Sequence, residues 1–296
     1  MTRVLVLGAT GMLGCMVQRV LDRNPDIEAV PATRDGEQGS VTFDAGSDSV
    51  EELVADGGYD WIVNAIGLIG PRIDERNPAS VARAIDINAS FPHRLATALG
   101  GRQRVMQIAT DAVFRGDSAP YVESDPHDAS AVYARTKSLG EVASPGFINL
   151  RCSIVGPERP PPSSLLGWLL SQPWGARISG YTNHRWNGVT TWHFARLCEA
   201  VIRGEIGDLP SSLHVVPGDS VTKAELLELS LDAFGRTDLS LTPQPAETAV
   251  DRRLSTNHPE INRRLWSAAG YPNPPPIGQM VRELAAGHAG SPARGE

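Results

Sequence analysis

Tyr133 and Lys137 stand four residues apart in Tyr133-Ala134-Arg135-Thr136-Lys137, a spacing that puts both on one face if residues 130–142 form a helix. A phenol near its ordinary pKa of about 10 is a weak acid at neutral pH. A neighbouring ammonium and a cationic nicotinamide favour the phenolate and bring it into working range. Such a pair can exchange a proton with an alkoxide as hydride reaches or leaves a carbonyl carbon. The same spacing occurs on ordinary exposed helices, so the pair acquires meaning only from its neighbours.

The first neighbour is at the N-terminus. Arg3-Val4-Leu5-Val6-Leu7 is an apolar strand that breaks into Gly8-Ala9-Thr10-Gly11-Met12-Leu13-Gly14, before the helical pattern of Met16, Val17, Val20 and Leu21. Glycine lets the chain turn tightly and lets a pyrophosphate approach the amides at a helix N-terminus, where orphan N–H groups and the helix dipole attract anions. The spacing is G-x-x-G-x-x-G. Gly8, Thr10, Gly11, Met12 and Leu13 are therefore candidate cofactor contacts, a plain strand-to-helix turn being the alternative. The next strand, about Glu28 to Ala32, ends in Thr33-Arg34. A chain preferring NAD places an acid there for the ribose 2′-OH, whereas Arg34 suits a 2′-phosphate and favours NADPH, with NADH still open. Asp35 follows directly, so Arg34 as a solvated loop charge is the competing reading. The second neighbour is Thr110, which closes the apolar run Val105-Met106-Gln107-Ile108 and so falls at the carboxyl end of a parallel strand, where open α/β sheets place their sites. A Thr at a strand end is otherwise a turn or cap residue.

In these residues the chain resembles an extended short-chain dehydrogenase/reductase, and within that superfamily the dTDP-4-dehydrorhamnose reductase group of nucleotide-sugar reductases. The resemblance rests on Gly8 to Gly14, Asp44 after the third strand, Asn64-Ala65-Ile66-Gly67 after the fourth, Asn88 in a helix, Ala109 to Phe114, and Tyr133 to Lys137, all in family order. It implies a catalytic triad in which Thr110 holds the substrate oxygen, Tyr133 exchanges the proton, and Lys137 binds the nicotinamide ribose. It adds Asp44, Ala65, Ile66 and Gly67 to the cofactor contacts. The 4,6-dehydratases of the superfamily carry Thr-Asp-Glu where this chain has Thr110-Asp111-Ala112. Without the Glu a dehydration lacks its base, while Asp111 remains, as in the reductases, as a substrate contact.

On the substrate side, Gly180 to Thr191 is dense in polar and aromatic residues without helical or strand periodicity, and reads as a loop. In the reductases the corresponding segment lines the sugar-nucleotide site as Asp-Gln-x-Gly-x-Pro-Thr; here it is His184-Arg185-Trp186-Asn187-Gly188-Val189-Thr190. Trp186 is expected to stack on a base or sugar face, and Asn183, His184 and Asn187 to bond hydroxyls or phosphate, the alternative being a surface loop anchored by one Trp. Arg253, in Asp251-Arg252-Arg253-Leu254, offers a fork-shaped contact to a diphosphate, though charge pairs of this kind are often solvated.

Composition is consistent with such an enzyme. The chain has 296 residues and a formal net charge of −7, enough length for a large core and an acidic balance that disfavours nucleic acid or an anionic membrane as a partner. No apolar stretch approaches the roughly 20 residues of a membrane span, and Met1-Thr2-Arg3 leads straight into the first strand, so a cytoplasmic enzyme is expected. Cys15, Cys152 and Cys198 form neither an even set nor a C-x-x-C pair, and neither a disulfide framework nor a metal site is expected. A homodimer is left open.

Apolar runs at Val4 to Leu7, Trp61 to Ala65, Val105 to Ile108 and Phe147 to Leu150 alternate with helical patterns around Val17, Leu53, Leu95 and Leu139. The alternation predicts an α/β chain: a Rossmann-like, doubly wound parallel sheet with a smaller, interleaved C-terminal substrate-binding domain. The cofactor domain is assigned to 1–156 with about 187–217, and the substrate domain to about 157–186 with 218–288. The break between them carries Gly156 and Pro160 to Pro162. Leu213 to Val216 reads as a strand returning to the main sheet, and Thr222 to Glu225 has capping-box spacing. Residues 289–296 read as a disordered tail.

The residues and the resemblance together point to an NADPH-dependent reductase of a keto group, C4 by preference, on a nucleoside-diphosphate-linked deoxy sugar. Two rivals remain. A nucleotide-sugar epimerase would hold NAD(P) tightly and consume none. A non-catalytic NADP-binding regulatory subunit could use the same fold, but has no need to keep Thr110, Tyr133 and Lys137.

Overall fold

In the computed structural model, residues 1–36, 39–55, 57–99, 103–158 and 163–289 are described. The break at Pro160 to Pro162 and the tail from 290 onward lie outside them. The chain forms a seven-stranded parallel sheet flanked by helices, a Rossmann-like α/β fold.

Six strands come from the first half: β1 (Thr2–Leu7), β2 (Ile27–Thr33), β3 (Val41–Thr42), β4 (Trp61–Asn64), β5 (Arg104–Thr110) and β6 (Phe147–Cys152). The later strands are β7 (Ile154–Val155), β8 (Arg177–Tyr181), β9 (His184–Trp186), β10 (Val189–Thr190), β11 (Ser212–His214), β12 (Val221–Thr222), β13 (Ser240–Gln244) and β14 (Val250–Asp251). The large sheet runs β11-β6-β5-β4-β1-β2-β3, so β11 does return to it. The order reverses at β1, and the crevice at the carboxyl ends of β1 and β4 is where such sheets bind ligands.

Among the described residues the α-helices of this half are α1 (Met12–Leu21), α2 (Val50–Ala55), α3 (Pro78–Ile85), α4 (Phe91–Ala98) and α5 (Val132–Leu139). The strands are apolar without alternation because both faces of the sheet are covered. Val4 and Val6 join Val17, Leu21 and Phe194 on one face, while Leu5 and Leu7 join Leu53, Phe91 and Leu95 on the other.

The remaining helices are α6 (Leu165–Leu170), α7 (Thr191–Ile202), α8 (Lys223–Ala233), α9 (Pro259–Ala268) and α10 (Ile277–Ala289). Thr222 and Glu225 close the expected capping box at the start of α8: the Glu225 carboxylate accepts from Thr222 N at 2.6 Å, and Thr222 Oγ1 accepts from Glu225 N at 3.2 Å.

The segment Gly180 to Thr191 is not the loop expected from its composition. It contains the end of β8, all of β9 and β10, and the start of α7. β8 pairs with β13, and β9 lies between β12 and β14. These partners are far along the chain, so backbone pairing, not local periodicity, makes the segment extended.

Candidate active site

The Gly-rich turn has the geometry its sequence requires. Gly8 sits at φ 77°, a left-handed conformation that a side chain strains. Gly14 lies so close to the Gly8 carbonyl that an added Cβ would collide with it. Gly11 is the N-cap of α1, and the first amides of that helix open onto the crevice, a ready anion site.

Two adjoining clefts run along the carboxyl edge of the sheet, about 330 Å³ and about 320 Å³ in volume. Every candidate cofactor residue lines one or both. Gly8, Thr10, Arg34 and Asp44 line the second cleft. Leu13, Tyr133 and Lys137 line the first, together with Thr110. Gly11, Met12, Ala65, Ile66 and Gly67 line both and form the waist between them. An elongated cleft with a helix N-terminus at its waist fits a nicotinamide dinucleotide, the pyrophosphate lying at the turn.

Thr110 ends β5, and its side chain caps the short turn Asp111–Val113 by accepting from Ala112 N at 3.2 Å. Tyr133 and Lys137 lie one turn apart on α5, which is shorter than the expected 130–142. Lys137 is only 6% exposed, and its Nζ donates to the Ile108 carbonyl at 2.8 Å, which fixes the ammonium against β5. Burial pulls the Lys137 amine down to about 8, against the opposing charge of Glu141. Burial also pushes the Tyr133 phenol above its ordinary value, with the Thr110 hydrogen bond opposing and the Asp111 charge adding. Burial, rather than a pull from Lys137, sets the direction of the phenol's shift. A phenol held protonated at neutral pH is the form that donates a proton.

Asn88 braces this group. It lies in a widened helical turn, Asp86–Ser90, where its side-chain amide donates to the Leu68 carbonyl at 2.8 Å and to Thr136 Oγ1 at 3.2 Å. Its Oδ1 accepts from Leu68 N at 2.8 Å. The loop after β4 and the helix bearing Tyr133 are thereby tied together.

Several substrate candidates are placed otherwise than expected. Trp186 is 3% exposed and packs within the core, so it has no free face for a base or sugar; its ring instead lies 5.2 Å from the Lys223 ammonium. Asn187 exchanges both amide hydrogen bonds with the backbone of Leu254, at 2.7 and 2.9 Å. Asn183 does the same with Ala246 at 2.8 Å each, and His184 Nε2 contacts the Thr248 carbonyl at 3.0 Å. These polar side chains hold the segment 246–254 in place, a task that leaves their groups committed. Arg253 is likewise committed, in a forked ion pair with Asp251 at 2.8 to 3.1 Å. Asp111 directly follows Thr110 at the carboxyl end of β5 and is not among the residues that line either cleft.

Sequence reading missed Arg72 and Glu158, which line both clefts at the waist. Glu158 accepts from the backbone and hydroxyl of Ser163 and from Ser164 N, and Arg72 reaches Ser163 Oγ at 3.5 Å. It also missed Ser153 and Ile154, which follow β6 on the floor of the first cleft. No motif marks these four; only the position of Ser153 and Ile154 just past a parallel strand could have suggested them.

A doubly wound parallel sheet whose carboxyl edge brings a Gly-rich turn together with Thr, Tyr and Lys has the architecture of an extended short-chain dehydrogenase/reductase. Within it, the chain belongs to the family described as RmlD substrate binding domain, whose sequence model matches residues 1–155. Methionine adenosyltransferase 2 subunit beta of Danio rerio is 27% identical over 271 residues, covering 84% of this chain and 80% of that protein. Among solved structures, a dTDP-4-dehydrorhamnose reductase of Clostridium acetobutylicum superposes with a TM-score of 0.76 at 18% identity, covering 97% of this chain and 100% of that one. A dTDP-4-dehydrorhamnose reductase of Bacillus anthracis, solved with NADP, gives the same TM-score of 0.76 at 18% identity, with coverage of 97% and 100%. These two are likenesses of fold. Among the described residues no helix is long and apolar enough to cross a membrane.

Proposed function

We propose that this chain is an NADPH-dependent reductase of a keto group, at C4, on a nucleoside-diphosphate-linked deoxy sugar. The observation that carries this reading is the convergence of Thr110, Tyr133 and Lys137 on the wall of one cleft whose waist is the Gly-rich turn. Gly11, Met12 and the start of α1 would hold the pyrophosphate, and Arg34 a 2′-phosphate. The bound cofactor supplies the hydride. Thr110 and Tyr133 would hold the carbonyl oxygen, and Tyr133 would pass its proton to that oxygen as charge develops there. Lys137, fixed on the Ile108 carbonyl, lowers the cost of the resulting phenolate.

The test is NADPH oxidation against a panel of dTDP-, UDP- and GDP-linked 4-keto-6-deoxy sugars, with products identified by NMR. Turnover on one member supports the reading and names the nucleotide. Purified protein that carries bound NAD(P) and interconverts sugars without net oxidation would instead establish an epimerase.

Arg34 sets the cofactor preference. A charge-assisted contact to a 2′-phosphate contributes about 1.5 to 3 kcal/mol when well formed. Arg34 is exposed, so the lower part of that range applies. Arg34→Ala is therefore expected to weaken NADPH roughly tenfold and leave NADH nearly unchanged. Equal wild-type affinities for the two cofactors would remove the preference altogether.

A second reading has one observation in its favour: the Danio rerio relative, similar over most of this chain, is by name a subunit of another enzyme. A regulatory NADP-binding role would predict no turnover on any panel member, and an effect seen only when a partner enzyme is added.

A further inference from the structure

The waist between the two clefts carries a cation that the Gly-rich turn does not account for. Arg72 ends the short 3₁₀ turn Gly70–Arg72 after β4, and like Gly11 and Met12 it lines both clefts. Its backbone is well held. Arg72 N donates to the Ile69 carbonyl and Ile73 N to the Gly70 carbonyl, each at 2.9 Å, and Pro71 within the turn has a fixed φ. A Cβ on Gly70 would lie 3.9 Å from the Tyr133 Cβ, so the turn packs on the helix that bears the proposed acid.

The guanidinium is left largely uncommitted. Among the described residues its one hydrogen-bond partner is Ser163 Oγ at 3.5 Å, the outer limit of such a bond, which leaves most of its N–H donors available. The carboxylates nearest to it in sequence are engaged with backbone amides: Asp74 accepts from Arg76 N at 3.0 Å, and Glu75 from Val132 N at 2.9 Å. Glu158 lines both clefts as well, but Ser163 stands between it and Arg72, with its hydroxyl donating to Glu158 Oε2 at 3.0 Å.

Burial raises the Glu158 carboxyl, and the hydrogen bonds from Ser164 and Ser163 outweigh that and hold it below its ordinary range. The waist therefore keeps a negative charge at neutral pH. A pyrophosphate brought to the first amides of α1 must meet that charge, and a helix end offers only about half a positive charge in return. A full cation on the same stretch of wall, with a fork of donors to spare, tips the balance toward binding.

We propose that Arg72 is a cofactor-binding residue that holds the dinucleotide's pyrophosphate at the waist, together with the first amides of α1. The inference rests on the cofactor cleft of the proposed function and is independent of which sugar is reduced. The pyrophosphate is common to NADPH and NADH, so Arg72 serves both alike, whereas Arg34 discriminates between them. Because its turn packs on the Tyr133 helix, Arg72 also ties the position of the cofactor to that of the acid.

The experiment is calorimetric titration of the full chain with NADPH, NADH, ADP-ribose and adenosine 2′-monophosphate, in the wild type, Arg72→Gln, Arg72→Lys and Arg34→Ala. ADP-ribose has the pyrophosphate without the nicotinamide or the 2′-phosphate; adenosine 2′-monophosphate has the 2′-phosphate without the pyrophosphate. Arg72 is exposed, so Arg72→Gln is expected to weaken NADPH, NADH and ADP-ribose by one common factor, roughly tenfold, and to leave adenosine 2′-monophosphate unchanged. Arg72→Lys should recover part of the loss, a point charge replacing a fork. Arg34→Ala should show the complementary pattern, with NADPH and adenosine 2′-monophosphate weakened and ADP-ribose untouched.

Unchanged ADP-ribose affinity in Arg72→Gln overturns the proposal and keeps the cofactor cleft. A loss confined to NADPH and adenosine 2′-monophosphate also overturns it, since Arg72 would then serve the 2′-phosphate. A wild type that binds neither NADPH nor ADP-ribose removes the cofactor cleft and the proposal with it.

Discussion

Tyr133→Phe is expected to lower kcat by about 10²- to 10⁴-fold, the usual contribution of a positioned general acid, while NADPH binding stays nearly unchanged. The substitution removes one oxygen from a half-buried ring on the cleft wall. The ring still packs, but on the proposed mechanism nothing would remain to protonate the carbonyl oxygen. A structural role for Tyr133 predicts the reverse: NADPH affinity and thermal midpoint would fall together, and kcat on saturated enzyme would change little. The pH dependence gives a second readout. Lys137 is charged below its value of about 8 and neutral above it, whereas burial keeps Tyr133 protonated past its ordinary range. Reduction by the free enzyme should therefore weaken as pH rises through about 8, seen in kcat/KM, which reports groups of the unliganded protein. Lys137→Met should be slow at every pH and should lack that limb. A limb that persists in Lys137→Met would assign it to another group.

The parts of this site that could be read from sequence are those whose physics is local. Gly8 and Gly14 are dictated by a left-handed backbone and a close approach within one turn. Tyr133 and Lys137 share a face through helical spacing alone. The strands β1, β4, β5 and β6 announce themselves as apolar runs because helices cover both sides of their sheet. What could not be read depends on partners distant in the chain. Asn183 and Asn187 look like exposed ligands for sugar hydroxyls, but their amides meet backbone groups 63 and 67 residues further on. Trp186 looks like a stacking platform until β12 and β14 close around it. Lys223 sits inside a capping box and reads as an ordinary helix start; only the fold brings it into the field of Asp111. In Asp251-Arg252-Arg253 the composition could not say which arginine the aspartate would take.

Arg151→Met is expected to destabilise the protein by about 3 to 5 kcal/mol, the cost of breaking a buried ion pair from one side. Arg151 lies in β6 and is 1% exposed. Its guanidinium donates to both Glu141 oxygens, to His214 Nε2 at 2.6 Å and to His127 Nε2 at 2.9 Å, and stands 5.4 Å from the centroid of the Phe114 ring. Because arginine only donates, both imidazoles must accept at Nε2 and are neutral, with their protons on Nδ1. That of His214 goes to the Ser255 carbonyl at 2.6 Å, and that of His127 to Ser138 Oγ at 2.7 Å. Glu123 fastens the same region by accepting from His214 N, Thr256 Oγ1 and Asn257 N. The chain just after Arg252 is thus anchored to the large sheet through Arg151, and Met would leave the Glu141 carboxylate without its partner. For a protein of this size the loss corresponds to a drop of about 10 °C in Tm.

Acid should act on the same cluster. Burial first, and then the Arg151 charge, draw His214 down to about 4. Below pH 6.5 the unfolded chain takes up a proton that the folded chain refuses. Stability should then fall by about 1.4 kcal/mol per pH unit for this group until about pH 4, with no such slope above 6.5. Removing the guanidinium removes one of the two causes, so Arg151→Met should have a lower Tm at neutral pH and a shallower decline toward pH 4. Parallel declines for the two proteins would show that burial alone excludes the proton, and would separate the anchoring role of Arg151 from any electrostatic hold on His214.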